Sequence, residues 1–386
     1  MNIQVKLRRV CLPVFISAAC GLAAFLQVSH ADTVAPAAPV NLAIASGATP
    51  TPQPGALQIS GVSGVVRNGS TITVSGSGFG ARNATDSDVF DDFEDGFGPH
   101  WYLGTDDYTL GLSVSAKVRG AGAQAIYGNI PDGGDKHYAL RKRASAGAPT
   151  SHRWYVSVNL FFDPNFTWGQ TTSSWRSNMK MMRMWREGSN GCGQRENWGV
   201  IYHGWTGSGG LVLANEYVVP QTVDYVVGNF RSLMTPGSWH QVEYVFDEAA
   251  GVNADGVVGA LSIYVDGILR ASEELETYED CANVAPSLWN LGFDETSNAS
   301  GGSDMTNEFW MDNVVAASSW ARLILCDAGT FSACTVREFQ PPSAWSNNSI
   351  TAAVNTGLIP NGGAYLYVVD AAGSVSPAYA VTVANP

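Results

Sequence analysis

The stretch WHQVEYVFD at residues 239–247, followed by GALSIYVDG at residues 259–267, decides the fold. In each half, apolar residues alternate with polar ones, and a loop rich in Gly and Asp lies between the halves. An alternation with a period of two and one apolar face predicts half-buried antiparallel strands. The pair Asp266-Gly267 supplies the residue types that a tight turn requires. This stretch therefore predicts strands that pair through short turns.

Taken together, the two halves resemble a known superfamily. The pattern W-H-x-V followed by G-x-L-x-I-Y-V-D-G looks like the laminin-G or concanavalin A-like jelly roll. The composition agrees, since the chain has 42 Gly, only 14% charged residues and no long helical spacing of apolar residues. We therefore predict an all-β protein whose main part is an antiparallel jelly-roll sandwich. The resemblance implies that this part handles carbohydrate, which is an analogy of fold.

The N-terminus has the pattern of a secretory signal peptide over residues 1–31. Basic residues precede an apolar run at residues 10–28, and small residues suited to cleavage follow. A retained membrane anchor is the alternative. Residues 32–55 are rich in Pro and Ala and predict a flexible linker. We expect an exported protein, either secreted, periplasmic or at the cell surface, with no membrane span in the mature chain.

The two ends of the remaining chain resemble one small domain. The segment STITVSGSGFG at residues 70–80 is similar to the opening of an IPT/TIG immunoglobulin-like domain. Residues 344–354 and 363–376 look like its later strands. We therefore predict an Ig-like β-sandwich built from residues 56–86 and 321–386, with the jelly roll inserted at residues 87–320. The alternative is three successive units with a lone hairpin near the start, which would be only marginally stable.

Four cysteines follow the predicted signal peptide. They are Cys192, Cys281, Cys326 and Cys334. An even number in an exported chain indicates disulfides. Cys326 and Cys334 are close enough in sequence to bridge a loop, which would leave Cys192 with Cys281. Three pairings are open to four cysteines, and spacing alone does not choose among them.

Acidic residues concentrate near both ends of the predicted jelly roll. The segments DDFEDG at residues 91–96 and FWMDNV at residues 309–314 resemble the first and last strands of carbohydrate-binding jelly rolls. In that superfamily an acid from each end often binds a structural calcium ion, for which carboxylate and carbonyl oxygens are suitable ligands. The resemblance implies Glu94 and Asp312 as ligands, with Asp92 as a third. A solvated acidic loop is the alternative.

Charge is distributed unevenly along the chain. The formal net charge is −13, yet residues 117–195 hold twelve Lys and Arg against four Asp and Glu. A local positive field attracts anionic ligands. For an exported jelly roll we expect an acidic polysaccharide, whereas export and the overall negative balance argue against nucleic acid. The alternative is that these bases pair with acids elsewhere on the surface.

Three predicted strands supply candidate site residues within or just after this positive segment. Residues 153–162, 178–186 and 198–205 alternate polar and apolar residues, and we expect their polar sides to converge in one trough. Aromatic rings stack on sugars, and arginine binds carboxylates through two hydrogen bonds. The candidate catalytic residues are Tyr155, Arg183, Tyr202 and His203. The candidate substrate-binding residues are Arg153, Asn159, Lys180, Trp185 and Trp205.

Two functions fit this set. A polysaccharide lyase needs a group that neutralises the uronate carboxylate, a base for the neighbouring proton and an acid for the leaving oxygen. The resemblance to jelly-roll lyases lies in residue types only, since the motifs R-x-E-x-R and Q-I-H are absent from the sequence. The alternative is a non-catalytic glycan-binding or adhesive module. A glycoside hydrolase requires two carboxylates across the bond and ranks lower. The E-x-D-x-x-E-type strand of glycanases in this superfamily is absent, and Asp247, which shares a polar strand face with Glu243, lies at the end of that strand.

Overall fold

A computed structural model describes residues 55–82, 88–97, 101, 112–117, 119–129, 135–141, 151–166, 178–186, 195–203, 210–214, 223–227, 230–253, 256–276, 287–297 and 308–385. All of them belong to the compact unit Pro52–Pro386. The predicted signal peptide lies outside the described residues, as does the predicted linker except for its last residue. Export therefore stays a prediction.

Two large antiparallel sheets form the middle of the described chain. The eight-stranded sheet has the order β14 (Ile268–Glu276), β13 (Gly256–Val265), β12 (Trp239–Asn253), β7 (Arg153–Phe162), β16 (Glu308–Ala317), β5 (Ala125–Asn129) and β4 (Leu112–Ser115), and β3 (Asp88–Asp91) also pairs with β16. The six-stranded sheet has the order β11 (Val223–Val227), β10 (Gly210–Ala214), β9 (Arg195–His203), β8 (Asn178–Arg186), β15 (Ser287–Ser297) and β6 (Asp135–Arg141). The prediction of an all-β sandwich is confirmed.

The two large sheets share one apolar core. Alternate residues of β7, such as Val156 and Leu160, pack with Met182 of β8 and Leu291 of β15. The alternation predicted for residues 239–267 is borne out, because its apolar members are all buried in this core. These members are Val242, Tyr244, Phe246, Leu261, Ile263 and Val265.

Asp266 and Gly267 form the predicted turn between β13 and β14. Their φ angles are 48° and 69°, the two positive values that a type I′ hairpin turn requires. A Cβ atom at Gly267 would clash with the carbonyl oxygen of Cys334, so this position requires glycine. The Asp266 carboxylate accepts the backbone N–H of Gln241 at 2.9 Å and lies 2.8 Å from Nδ1 of His240. The turn is thereby fixed to the start of β12.

Strands from both chain ends pair in two smaller sheets. One has the order β1 (Gln58–Ser63), β2 (Thr71–Ser77), β20 (Ser349–Ala353) and β19 (Pro342–Ser346). The other has the order β18 (Arg337–Gln340), β17 (Arg322–Cys326), β21 (Gly362–Val369) and β22 (Tyr379–Val383). The two sheets share a second apolar core. The β1–β2 hairpin thus pairs with a strand from the other chain end, while the domain boundaries and the IPT/TIG resemblance stay predictions.

A third apolar cluster, which we call the seam, joins the eight-stranded sheet to the β18–β17–β21–β22 sheet. Tyr155 and Val315 of the large sheet pack with Ile324, Phe339 and Tyr367 of the smaller one. All five side chains are at most 3% exposed. The seam therefore covers part of the eight-stranded sheet on the face that points away from the large core.

Cys326, at the end of β17, is bonded to Cys334, with the short 3-10 helix Phe331–Ala333 between them. The predicted disulfide between these two residues is confirmed. Cys192 and Cys281 lie outside the described residues, so their pairing stays a prediction.

Helix is scarce in the described part of the chain. The α-helix Phe230–Leu233 is a single turn that precedes β12. Within the described ranges, no helix is long and apolar enough to cross a bilayer.

Candidate functional site

Arg183 marks the face of the six-stranded sheet that points away from the core. Its neighbours in β8, Met182 and Met184, are buried in the core of the large sandwich. Because successive strand residues point to opposite faces, Arg183 belongs to the other face. Its side chain is nevertheless only 4% exposed. The guanidinium group of Arg183 is therefore shielded from bulk water. In such surroundings its charge interacts more strongly with an anion than it would in water.

The strand register places Arg183 in a polar row across four strands. Arg183 pairs with Asn290 of β15 on one side and with Gly199 of β9 on the other, and Asn290 in turn pairs with Arg141 of β6. Residues directly opposite each other share a sheet face. The row thus holds two arginines with an asparagine between them, followed by a glycine, which adds no side chain beside Arg183.

Two more of the predicted residues occupy the next rows of the same strands. Lys180 of β8 pairs with Ile201 of β9, and His203 pairs with the first residue of β8. Gly199, Ile201 and His203 are alternate residues of β9, so their rows belong to the face that carries Arg183. The structure therefore brings the positions of Arg183, Lys180 and His203 together on adjacent strands.

The other aromatic candidates near this face are placed differently. Tyr202 pairs with Leu211 of β10, whose side chain is fully buried in the core. The row of Tyr202 therefore belongs to the face of the sheet that points to the core, whereas the row of His203 belongs to the opposite face. Trp185 pairs with Glu196 of β9, beyond Arg183 on the side away from Lys180. Trp205 lies outside the described residues.

Arg153, Tyr155 and Asn159 lie on the eight-stranded sheet and not beside Arg183. The hydroxyl group of Tyr155 donates to Oε1 of Glu243 at 2.8 Å, and the ring is fully buried in the seam. Burial, reinforced by the charge of Glu243, raises the pKa of Tyr155 far above its ordinary value. Asn159 is 1% exposed and donates from Nδ2 to the carbonyl oxygen of Asn313 at 3.3 Å.

Arg153 is held by its own neighbours at the edge of the seam. Its Nε lies 3.2 Å from Oδ2 of Asp247, its Nη1 donates to the carbonyl oxygen of Ala371 at 3.2 Å, and its guanidinium group lies over the ring of Trp320. The expectation of one trough is thus corrected for Arg153, Tyr155 and Asn159. The polar side of β7 faces the C-terminal strands, and these cover the surface that we expected to be open to a ligand.

The three predicted calcium ligands line one cavity. Asp92, Glu94 and Asp312 come from the large sandwich, while Asn68 and Asn355 come from the chain ends, and the cavity, which is open to solvent on one side, has a volume of about 500 Å³. The sequence resemblance had placed these acids at opposite ends of the jelly roll. Pairing of β3 with β16 is what brings the two ends together.

Asp312 is the most perturbed carboxyl group of this cavity. Burial raises its pKa to about 8, with a further rise from Asp92 and Glu94, whereas the N–H of Asn313 and the charge of Arg119 act in the opposite direction. Its Oδ1 accepts the Asn313 N–H at 2.6 Å. A cation in the cavity would offset the repulsion among the three acids.

Carboxylate oxygens of the kind that suit a hard cation line this cavity. Oε1 of Glu94 accepts the backbone N–H groups of Ala123 at 2.7 Å and Gln124 at 3.0 Å, and a Cβ atom at Gly122 would lie 2.7 Å from the same oxygen. Glycine therefore leaves the space that the carboxylate occupies. The three carboxylates of the lining fit Ca²⁺ in chemistry, and Arg119, which also lines the cavity, is ion-paired with Glu338.

The acids of this cavity are not drawn together around one point. Within the described residues, the only three His, Cys, Asp or Glu donor atoms that lie within 4.8 Å of one another belong to Cys326, Asp327 and Cys334. There the two sulfur atoms are already joined to each other. The acidic cavity would therefore bind an ion with some of its ligands supplied by carbonyl groups or water.

Sequence reasoning missed Asn290 and counted Arg141 only among the positive charges. The available signal was the polar Asn290 inside the otherwise apolar segment SLWNLGF at residues 287–293. It could not be related to Arg183, because the pairing of β15 with β8 joins segments that are far apart in the sequence.

Comparison with known proteins gives a likeness of fold. No protein-family model matches the chain, and no curated protein matches it. An endo-β-1,4-glucuronan lyase from the fungus Trichoderma reesei has 15% identity and a TM-score of 0.39 over 54% of this chain and 87% of that chain. An alginate lyase from Pseudomonas aeruginosa has 14% identity and a TM-score of 0.35 over 55% and 86%. A PL-14 alginate lyase from Aplysia kurodai has 13% identity and a TM-score of 0.36 over 54% and 87%.

Proposed function

We propose that this is an exported carbohydrate-active protein that binds an anionic polysaccharide on the face of the six-stranded sheet that carries Arg183, and cleaves it by β-elimination. The observation that carries the proposal is the cross-strand row of Arg141, Asn290 and Arg183. Lys180 and His203 occupy the neighbouring rows of the same face. This is a compact set of the residue types that elimination from a uronate requires.

Each step of the elimination has a residue of this set to serve it. Arg183, with Asn290 beside it, would neutralise the uronate carboxylate and so acidify the proton on the adjacent ring carbon. His203 would accept that proton as the base. The electron pair of the C–H bond then forms the ring double bond, the glycosidic C–O bond breaks, and protonated Lys180 would donate a proton to the leaving oxygen.

The test is a cleavage assay with matched arginine variants. The protein is incubated with alginate, glucuronan, pectate or glycosaminoglycans, and unsaturated uronate products are followed by their ultraviolet absorbance. Arg183→Ala should lower kcat/KM by about 100-fold or more on the polymer that is cleaved, because it removes a group that stabilises developing negative charge. His203→Gln should abolish cleavage while leaving binding of the polymer intact.

Arg153→Ala is the matched control. It removes an arginine of the same predicted set whose side chain is 43% exposed. Its partner Asp247 is 7% exposed and loses one donor, so stability should fall by about 1–3 kcal/mol, and cleavage should persist in the folded variant. Equal loss of cleavage in the Arg153 and Arg183 variants would contradict the placement of the site.

A non-catalytic glycan-binding module is the second candidate, and one observation favours it. Of the two predicted tyrosines, Tyr155 is buried in the seam and Tyr202 lies in a core-facing row. Neither is thus placed beside Arg183 as a proton donor. Binding of an anionic polymer without new ultraviolet absorbance would support this module and reject the lyase.

We further propose a structural calcium ion in the acidic cavity, held by Glu94 and Asp312 with Asp92 as a third ligand. The support is that all three line the same cavity and that burial and mutual repulsion raise the pKa of Asp312. The ion would join the first and last strands of the large sandwich.

A further inference from the structure

A regular row of aromatic residues crosses the eight-stranded sheet. Trp239 of β12 pairs with Phe161 of β7, Phe161 pairs with Trp310 of β16, and Trp310 pairs with Tyr127 of β5. Ser113 of β4 follows Tyr127 in the same row. These four rings, which we call the aromatic row, are separated by more than 180 residues of sequence at their widest, and only the strand register reveals them.

The rings are evenly spaced. Their centroids are 5.5 Å apart between Trp239 and Phe161, 5.6 Å between Phe161 and Trp310, and 5.4 Å between Trp310 and Tyr127. This regularity follows from the strand spacing of about 4.8 Å. A linked chain of pyranose rings repeats on a similar scale, so alternate sugars of a chain laid across the strands would meet Trp239 and Trp310, while Phe161 between them is only 8% exposed.

The aromatic row lies on the face of its sheet that points away from the core. Leu160 and Phe162, on either side of Phe161, are both buried in the core of the large sandwich. The other end of this face is covered by the seam, where Tyr155 is fully buried. Trp239 and Trp310, by contrast, are half-buried. The aromatic row is thus separated from the Arg183 face by the full thickness of the sandwich.

Polar groups border the aromatic row. The ammonium group of Lys117 lies 3.7 Å from the ring centroid of Phe161 and 4.9 Å from that of Trp310. Nε1 of Trp310 donates to Oγ of Ser115 at 3.2 Å, and the hydroxyl group of Tyr127 donates to Oε1 of Glu308 at 2.8 Å. The row therefore combines apolar ring faces with a cation. A uronate-containing chain has the matching groups, because its C–H faces are apolar and its carboxylate is an anion.

We propose that the aromatic row is a second polysaccharide-binding surface, which holds a uronate-containing chain on the opposite side of the sandwich from the Arg183 face. The proposal takes its ligand class from the proposed function, but it does not require that the protein cleave the ligand. Sugar rings would stack on Trp239 and Trp310, and the carboxylate of a bound uronate would meet Lys117. Such a surface would keep the protein on a long polymer.

Affinity electrophoresis in gels that contain alginate or glucuronan tests the proposal with the full chain. Trp239→Ala and Trp310→Ala should each weaken retention by the polymer about three- to tenfold. Trp345→Ala is the matched control, since Trp345 is also half-buried but lies on β19 of a smaller sheet, and it should leave retention unchanged. Thermal unfolding of each variant confirms that it is folded, and Trp239, the first residue of its strand, gives a second route if the Trp310 variant does not fold.

Lys117→Met separates the charge from the stacking. It should weaken retention by the anionic polymer and leave binding to a neutral β-glucan unchanged. Unchanged retention in both tryptophan variants would overturn the proposal, as would an equal loss in Trp345→Ala. A change of oligomeric state in Trp239→Ala without a change in retention would also overturn it, and would assign the row to contact between copies of the chain.

The Arg183→Ala variant distinguishes this proposal from the proposed function. If the cleavage site is wrong and the aromatic row is right, the tryptophan variants lose retention, while Arg183→Ala keeps the cleavage activity and the retention of the wild type. If only the row is wrong, Arg183→Ala loses cleavage while the tryptophan variants keep full retention.

Discussion

Arg119 and Glu338 form a two-point ion pair between segments that are 219 residues apart, with N–O distances of 3.1 and 2.8 Å. Both side chains are nearly fully buried, and Oε1 of Glu338 also accepts the N–H of Leu358. Beside this pair, a Cβ atom at Gly120 would clash with the carbonyl oxygen of Gly357. A turn of the large sandwich is thus fixed directly against the chain-end strands.

Removing one member of this pair should destabilise the whole protein. Arg119→Ala leaves the Glu338 carboxylate buried without its cation, and the free energy of unfolding should fall by about 3–5 kcal/mol. Arg270→Ala, at an exposed position of β14, should change it by no more than about 0.5 kcal/mol. Urea unfolding followed by tryptophan fluorescence measures both. Equal stability of the two variants would mean that the pair does not fix this turn of the large sandwich to the chain-end strands.

Tyr155→Phe should reduce stability without affecting polysaccharide turnover. The change removes the hydroxyl group that donates to Glu243, whose other oxygen accepts from Nη1 of Arg337 at 3.1 Å. A buried carboxylate that loses one donor costs about 1–3 kcal/mol. Parallel measurements of unfolding and of cleavage or binding check this. A variant with full stability and no turnover would return Tyr155 to the catalytic set.

The pair of His240 and Asp266 predicts a pH dependence of stability. Burial lowers the pKa of His240, but the Asp266 carboxylate and the Thr235 carbonyl oxygen, which lie 2.8 and 3.1 Å from its two ring nitrogens, outweigh burial and raise the pKa above 6.5. A raised pKa in the folded state stabilises the protein at pH values below the unfolded pKa, and this contribution is lost as the pH rises through the folded pKa.

Thermal unfolding at a series of pH values tests this contribution. The wild type should lose stability as the pH rises above about 6.5, and His240→Gln should flatten that part of the curve. Asp266→Asn, which removes the main cause of the raised pKa, should flatten it as well. A His240→Gln curve parallel to that of the wild type would assign the pH dependence to other groups.

The sequence was sufficient to predict the structure where a pattern of alternating residues is compatible with only one arrangement of strands. Residues 239–247 and 259–267 each have a single apolar side, so these parts of the strands, their buried residues and the turn at Asp266 could be predicted. The loop expected between them was wrong for most of its length, because β12 continues to Asn253 and β13 begins at Gly256. Nearness in sequence favoured the pairing of Cys326 with Cys334, although the sequence left three pairings open, and the structure forms this disulfide. Glu94 and Asp312 came from the resemblance, and pairing of the first and last strands brings both to one cavity.

The sequence was insufficient to predict the site where the same pattern is compatible with two structures. The polar side of β7 carries Arg153, Tyr155 and Asn159, and a ligand or a second sheet could cover such a side equally well. Here the covering residues, such as Phe339, come from near the other end of the chain. The aromatic row was hidden for a related reason, since its members meet only through a register that is set by long-range pairing.

Calcium should stabilise the protein through Asp312. The effect of Asp312→Asn on the free energy of unfolding should therefore have a different sign with and without the ion. Without a cation, burial and the neighbouring Asp92 and Glu94 raise the pKa of Asp312 to about 8, so this position favours a neutral group and Asp312→Asn in chelator should be as stable as the wild type or more stable. With calcium at 100 times its dissociation constant the wild type should gain about 2.7 kcal/mol, and the variant should gain little. Asp95→Asn, at an exposed acid of the same loop, should keep the calcium effect. Magnesium should not replace calcium, because it requires a tighter octahedral site. A melting temperature that chelator and calcium leave unchanged would reject the ion and leave the cavity as a solvated acidic cleft.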